Sequence, residues 1–282
     1  MRISMWGPKG SGKTTYIAMI YGTALKSNVK WVIRPNDLNS TQFVQENINA
    51  IRNGEFPTPT TYVQEPNIYK YQIHALNPAA LSENENGNEK EFLESVVDFV
   101  RNVKLDQSSK KNASEEVVVS LADVAGEQFL TESLDHPLWE HLATSDGLVC
   151  LLDPAEAESH FDVTFRLLQF LWLKLKDRPN FLVNNNYLPH YVAFCFSKID
   201  QSDFIGFVNK PRDLVLHLEK QNNLDIDKLL LQYFLPDRIK YFTISSIGMQ
   251  AHVSGHTIEN PKDIAPINIL EPLRWLFLKS GK

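Results

Sequence analysis

The sequence predicts an α/β protein with a mostly parallel, six-stranded sheet between two layers of helices. Three observations predict it. Short apolar runs rich in β-branched and aromatic residues recur along the 282 residues, and most are followed by segments of helical period. A glycine-rich turn separates the first apolar run from the first helical segment. Acidic or small polar residues (Asp123, Asp200, Ser245) stand at the ends of later runs, where the carboxyl ends of parallel strands meet in such folds.

Strands are expected at residues 2–6, 69–75, 116–122, 147–153, 190–196 and 239–245. Helices should follow the first, third, fourth and fifth of these, and another near 267–278 should close the chain. Two stretches read as insertions. One, at about 30–56, carries the short apolar piece Trp31-Val32-Ile33 and then a helix over 40–51. The other spans about 76–114 and has polar, low-complexity ends. Between those ends Phe92, Leu93, Val96, Val97, Val100 and Val103 share a helical face. That face reads as one packed on the parent domain, with a partner-docking helix as the alternative. No Gly-, Pro- or Ser-rich linker divides the chain, so a single domain over 1–282 is expected.

Lys and Arg number 28 and Asp and Glu 34, a formal net charge of −6. This balance gives no global attraction for nucleic acid or an anionic membrane, and no basic run supplies a local one. The two cysteines, Cys150 and Cys195, lie inside apolar runs and read as core thiols. No secretory signal and no apolar stretch of transmembrane length is visible, so a cytoplasmic protein is expected. His252 and His256 are four apart but lack a third ligand, and read as loop histidines.

The strongest motif is Gly7-Pro8-Lys9-Gly10-Ser11-Gly12-Lys13-Thr14, after a strand and before a helix. Glycines let such a loop curl until several backbone N–H groups face one anion, and the helix start adds its positive end. Gly7, Gly10, Ser11, Gly12, Lys13, Thr14 and the following Thr15 are therefore expected around a nucleotide's phosphates. Lys13 would supply charge to the β- and γ-phosphates, and Thr14 a hydroxyl to Mg²⁺. Downstream, Asp123-Val124-Ala125-Gly126 follows an apolar strand. Asp123 is placed to hold Mg²⁺ through water, and Gly126 to offer its N–H to the γ-phosphate. A third motif, Ser197-Lys198-Ile199-Asp200, ends another strand. A carboxylate accepts the paired N1–H and N2 amino donors of guanine, and adenine presents no such pair. Asp200 is thus a base reader, with the stem of Lys198 over the base plane and Ser197 tying the turn to the phosphate loop. Ser245 and Ser246, after the last strand, form a small-residue turn suited to guanine O6.

GPKGSGKT, DVAGEQ, SKID and ISSIG, in that order and each at a strand end, resemble the translation-factor-related and Ras-like branch of P-loop GTPases. The resemblance covers about residues 2–248. It implies the three-layer P-loop NTPase fold with strand order 2-3-1-4-5-6 and an antiparallel second strand. GEFPTPT at 54–60, D-x-A-G-E and ILEPLRWL at 269–276 are similar to the double-GTPase group of bacterial conflict and signalling systems. That likeness implies GTP and GDP as ligands, Mg²⁺ as cofactor, and a switch acting on protein partners or within an oligomer. Three departures stand out. Glu127 occupies the place of the water-orienting Gln, and an ionised carboxylate there is repelled by the γ-phosphate, so slow or partner-stimulated hydrolysis is expected. The Mg²⁺-ligating switch threonine is Thr58, Thr60 or Thr61, with Thr60 favoured. No arginine finger precedes it, although Arg34 and Arg52 lie in the first insertion. Lys13, Gly126 and Glu127 are the expected catalytic residues. A P-loop ATPase or kinase, or a nucleotide-holding module with little turnover, are the competing functions.

Overall fold

The computed structural model describes residues 1–24, 31–58, 67–75, 116–123, 137–178, 181–184, 186–255 and 257–280. The expected helix around residues 92–103, Gly126, Glu127, Thr60 and Thr61 lie outside the described residues.

The sheet has seven strands rather than six, in the order β2-β3-β4-β1-β5-β6-β7. These are β1 (Arg2–Trp6), β2 (Trp31–Pro35), β3 (Asn67–Ala75), β4 (Glu116–Asp123), β5 (Gly147–Leu152), β6 (Tyr191–Phe196) and β7 (Ile239–Thr243). Without β2 the order is the expected one, and β3 is its antiparallel member, paired with both β2 and β4. The additional strand is the apolar piece Trp31-Val32-Ile33. It was too short to read as a strand alone, and forms because β3 offers it a free edge, Ile33 opposite Ile73.

Alternation along the strands divides the core in two. Ile3, Met5, Val149, Leu151, Ala193 and Cys195 face one cluster, with α1 (Lys13–Ala24), α2 (Leu38–Arg52) and α7 (Glu271–Ser280). Trp6, Leu148, Cys150, Leu152, Val192, Phe194 and Phe196 face the other. There they meet α3 (Pro137–Ala143), α4 (Ala157–Lys176), α5 (Pro211–Asn222) and α6 (Ile226–Leu231). Cys150 and Cys195 therefore lie on opposite faces as buried free thiols, so no disulfide can join them. Residues 16–21 of α1 are all buried. Helix and sheet close on α1 from both sides, which fixes the loop that precedes it.

Local chemistry sets the other helix ends. Asp37 caps α2, its side chain accepting from the Ser40 N–H at 2.8 Å, and the Ser40 hydroxyl accepts in turn from the Lys70 N–H at 2.7 Å. Asp225 caps α6 in the same way through the Lys228 N–H. A third, small cluster joins Met19, Ile51, Ile247, Ala251, Ile258 and Ile264, with Phe56 against it. Here the short hairpin β8 (Val253–Ser254) and β9 (Thr257–Ile258) receives the end of α2, because Ile258 N–H donates to Gly54 O. In the sequence this stretch reads as loop, because two-residue strands carry too little alternation to betray themselves.

His190 is buried against α3, its Nε2 3.1 Å from Leu142 O and 3.2 Å from Ala143 O. Burial holds its pKa down to about 4, with Arg238 adding to the shift and the two carbonyls and Asp146 opposing it. The unfolded chain takes up this proton near pH 6.5 and the native one does not. The contribution of His190 to stability is thus complete above pH 6.5 and declines from there towards pH 4, by roughly 3 kcal/mol. Burial lowers His141 and His160 as well, and they act in the same direction. Urea unfolding across this range should show the loss, and His190→Gln should flatten it.

Candidate functional site

The loop between β1 and α1 is built by close main-chain approach. Gly7 lies over the end of β5. A Cβ there would stand 2.5 Å from Ser11 Oγ and closer still to the Leu151 carbonyl oxygen. Gly10 and Gly12 have φ of +80° and +85°, the left-handed region open to glycine, and nothing approaches the space where their side chains would be. The loop thus has open space at both positions. Lys13, buried at the start of α1, curls back over it, and its Nζ donates to Gly7 O at 2.7 Å and to Pro8 O at 2.9 Å. Ser11 Oγ is fully buried and has no hydrogen-bond partner among the described residues. Thr14 and Thr15 are half-buried in the first turn.

Asp123 ends β4, opposite Asn67 of β3. Ala122 pairs with Ser4, so Asp123 is level with Met5, two residues before the loop begins. Thr14 and Asp123 thus come from neighbouring elements at one rim of the sheet, both oxygen donors of the kind Mg²⁺ takes. Thr58 is exposed at the end of the segment following α2. Arg34 is elsewhere: it pairs with Gln72, which pairs with Val118, five residues before Asp123. That register puts its Cα about 17 Å down the strand from the rim, which removes it as a finger. Arg52 is the last residue of α2.

The SKID turn follows β6 at the same rim. Leu152 pairs with Phe196, and Trp6 with Cys150. Two strand spacings, about 10 Å, separate β1 from β6. Ser197 does not reach the phosphate loop as expected. Its N–H and hydroxyl both go to Leu152 O, at 2.8 and 3.2 Å. The tie runs instead through β5, whose Leu151 carbonyl underlies Gly7 and whose Leu152 carbonyl holds Ser197.

Asp200 is half-buried, and its Oδ1 has no hydrogen-bond partner among the described residues. Burial raises its pKa above the usual carboxylate range, while the Ser245 hydroxyl and Lys198 pull it back. Ser245 is fully buried and pinned from several sides. It exchanges backbone hydrogen bonds with Ile267, and its Oγ accepts from the N–H groups of Ile247 and Gly248. Ile199 N–H donates to Ile244 O, so the two turns are adjacent. Ser246 is half-buried in the second of them. Sequence reasoning missed Asp153, the buried residue after β5, which pairs with Lys198 at 2.7 Å. Its signal was an acid at a strand end followed by Pro154, the same cue that marked Asp123 and Asp200. Among the described residues no cluster of His, Cys, Asp and Glu suits a metal, and no helix is long and apolar enough to cross a membrane.

This sheet order, with a glycine-rich loop running from β1 into a lysine at the start of α1, defines an α/β fold with a mostly parallel central sheet. No protein-family model and no curated protein matches the chain. Among solved structures it is similar to the S. cerevisiae Ski7 GTPase-like domain bound to GTP, with 11% identity and a TM-score of 0.45 over 100% of this chain and 50% of that one. It is also similar to the signal recognition particle receptor SRb-GTP/SRX complex from Chaetomium thermophilum, with 13% identity and a TM-score of 0.40 over 99% and 97% of the two chains. For LeoA, a bacterial dynamin GTPase from ETEC, the values are 14% and 0.39 over 100% and 38%. The chain spans about half the length of the Ski7 chain.

Two glycine substitutions separate the loop's constraints. Gly7→Ala drives a methyl group into a carbonyl oxygen and should destabilise by about 3 kcal/mol. Gly10→Ala meets only backbone strain and should cost about 1 kcal/mol. Urea melts without nucleotide check both.

Proposed function

We propose that this chain is a guanine-nucleotide switch that binds GTP and GDP with Mg²⁺ and hydrolyses GTP slowly. The observation that carries the reading is Asp200. A half-buried carboxylate with an unpartnered oxygen stands at the rim that also carries the open loop of Gly7–Thr14. Such a group is costly unless a ligand supplies donors, and the paired N–H groups of guanine are donors of that kind.

In this reading Gly7, Gly10, Ser11, Gly12 and Thr15 line the phosphates with main-chain N–H groups, and Lys13 turns from its carbonyls to the β- and γ-phosphates. Thr14, Asp123 and Thr60 would hold Mg²⁺, which neutralises charge between the β- and γ-phosphates when bound. Lys198 and Asp200 take the base, Ser245 orients Asp200, and Ser246 closes the base side. Gly126 senses the γ-phosphate. Glu127, a carboxylate where a neutral water-orienting group would serve better, keeps hydrolysis slow until a partner supplies the missing cation. We further propose one domain over residues 1–282, acting in the cytoplasm on protein partners or a second subunit, as the likeness to the double-GTPase group implies. An ATPase or kinase would prefer adenine, and a holding module would bind GTP without turnover.

Labelled GTP and ATP with Mg²⁺ test the reading. GTP should bind in preference to ATP, and Asp200→Asn should cut that preference about a hundredfold. Preference for ATP would overturn the reading. Single-turnover phosphate release should be slow, and fast release unaffected by Glu127→Ala would refute the assigned role of Glu127. Guanine affinity should be full above the raised Asp200 pKa and fall on acidification at higher pH than for an ordinary Asp, because a protonated carboxyl cannot accept both bonds. Titrations in buffers of decreasing pH check this.

A further inference from the structure

Lys198 has a left-handed backbone, φ +55°, which a non-glycine residue adopts only when its surroundings hold it. Its Nζ donates to Asp153 Oδ2 at 2.7 Å, and its carbonyl accepts from the Gln201 N–H. The Asp153 side chain is 5% exposed and that of Lys198 40%, so a buried anchor holds a half-exposed cation. Asp153 is itself fixed twice more. Its Oδ1 accepts from the Ala155 N–H at 3.0 Å, and its own N–H donates to His160 Nδ1 at 3.0 Å. That last bond leaves the neutral His160 ring with its proton on Nε2. With the ammonium of Lys198 held at the end of β5, its alkyl stem must span from the β6 turn to that point, over the same rim that carries Asp200.

We propose that Asp153 is a positioning residue for the base: it holds the Lys198 ammonium so that the lysine stem forms a fixed ledge against which a guanine face packs while Asp200 reads its edge. The proposal rests on the reading of Asp200 as the base acceptor. Without Asp153, Lys198 would lose its anchor and its backbone strain would be unopposed. The ledge would then be ordered only at the expense of binding.

Asp153→Asn separates this role from a helix-capping one. Asparagine keeps the oxygen that accepts from Ala155 but presents an amide that cannot accept from the ammonium on the other side. Fluorescent GDP titrations on wild type, Asp153→Asn, Lys198→Met and the double variant form the cycle, and competition by inorganic triphosphate reports the phosphate loop alone. Each single variant should weaken GDP about tenfold. The double variant should be no weaker than the worse single variant, and triphosphate competition should be unchanged throughout. GDP binding by Asp153→Asn at wild-type strength, multiplying penalties in the double variant, or an equal loss of triphosphate binding would each overturn the proposal. Wild type that binds GDP no better than ADP would instead overturn the reading of Asp200, and the proposal with it.

Discussion

Parallel pairing of β1, β5 and β6 is the constraint on which the rest of the molecule depends. Parallel strands in register end together. Here the register sets Trp6 beside Cys150 and Leu152 beside Phe196, so residues 7, 153 and 197, far apart in the chain, begin their turns along one edge. β5 is the middle member and is buried along its whole length. Its last two carbonyls serve opposite neighbours, Leu151 under Gly7 and Leu152 under Ser197. A shift of β5 by one residue would exchange the side chains it gives to the two cores and unseat both turns at once.

Most of this was legible in the sequence for a physical reason. Strands buried on both faces read as unbroken apolar runs, and a helix that must start under a glycine loop announces itself by GSGKT. What escaped was set by partners rather than by local pattern. Trp31–Pro35 is a strand because β3 stands beside it, and the 253–258 hairpin because the end of α2 closes against it. At the site, positions were readable and pairings were not. Ser197 was expected to tie the base turn to the phosphate loop, but β5 lies between them and its carbonyl is nearer. Asp153 was passed over because an acid before proline also reads as a turn. Its meaning comes from Lys198, 45 residues away.

The site's electrostatics follow from the same rim. Three charged side chains gather at the β5 and β6 ends, and one cation, Lys198, offsets two carboxylates: it is bonded to Asp153 and lowers the pKa of Asp200, which Asp153 raises. Asp153 is nearly sealed and bonded on each oxygen, whereas Asp200 keeps an oxygen free. Two like groups a short distance apart are therefore separated into a fixed one and an available one by burial and bonding alone.

Lys13 belongs to α1 but bonds to the turn before it. Its ammonium donates to the carbonyls of Gly7 and Pro8, so a side chain at the helix start gathers in the turn that precedes it. Removing that ammonium would release both oxygens to solvent, so in the proposed reading the group that draws in the phosphates also fastens the turn around them.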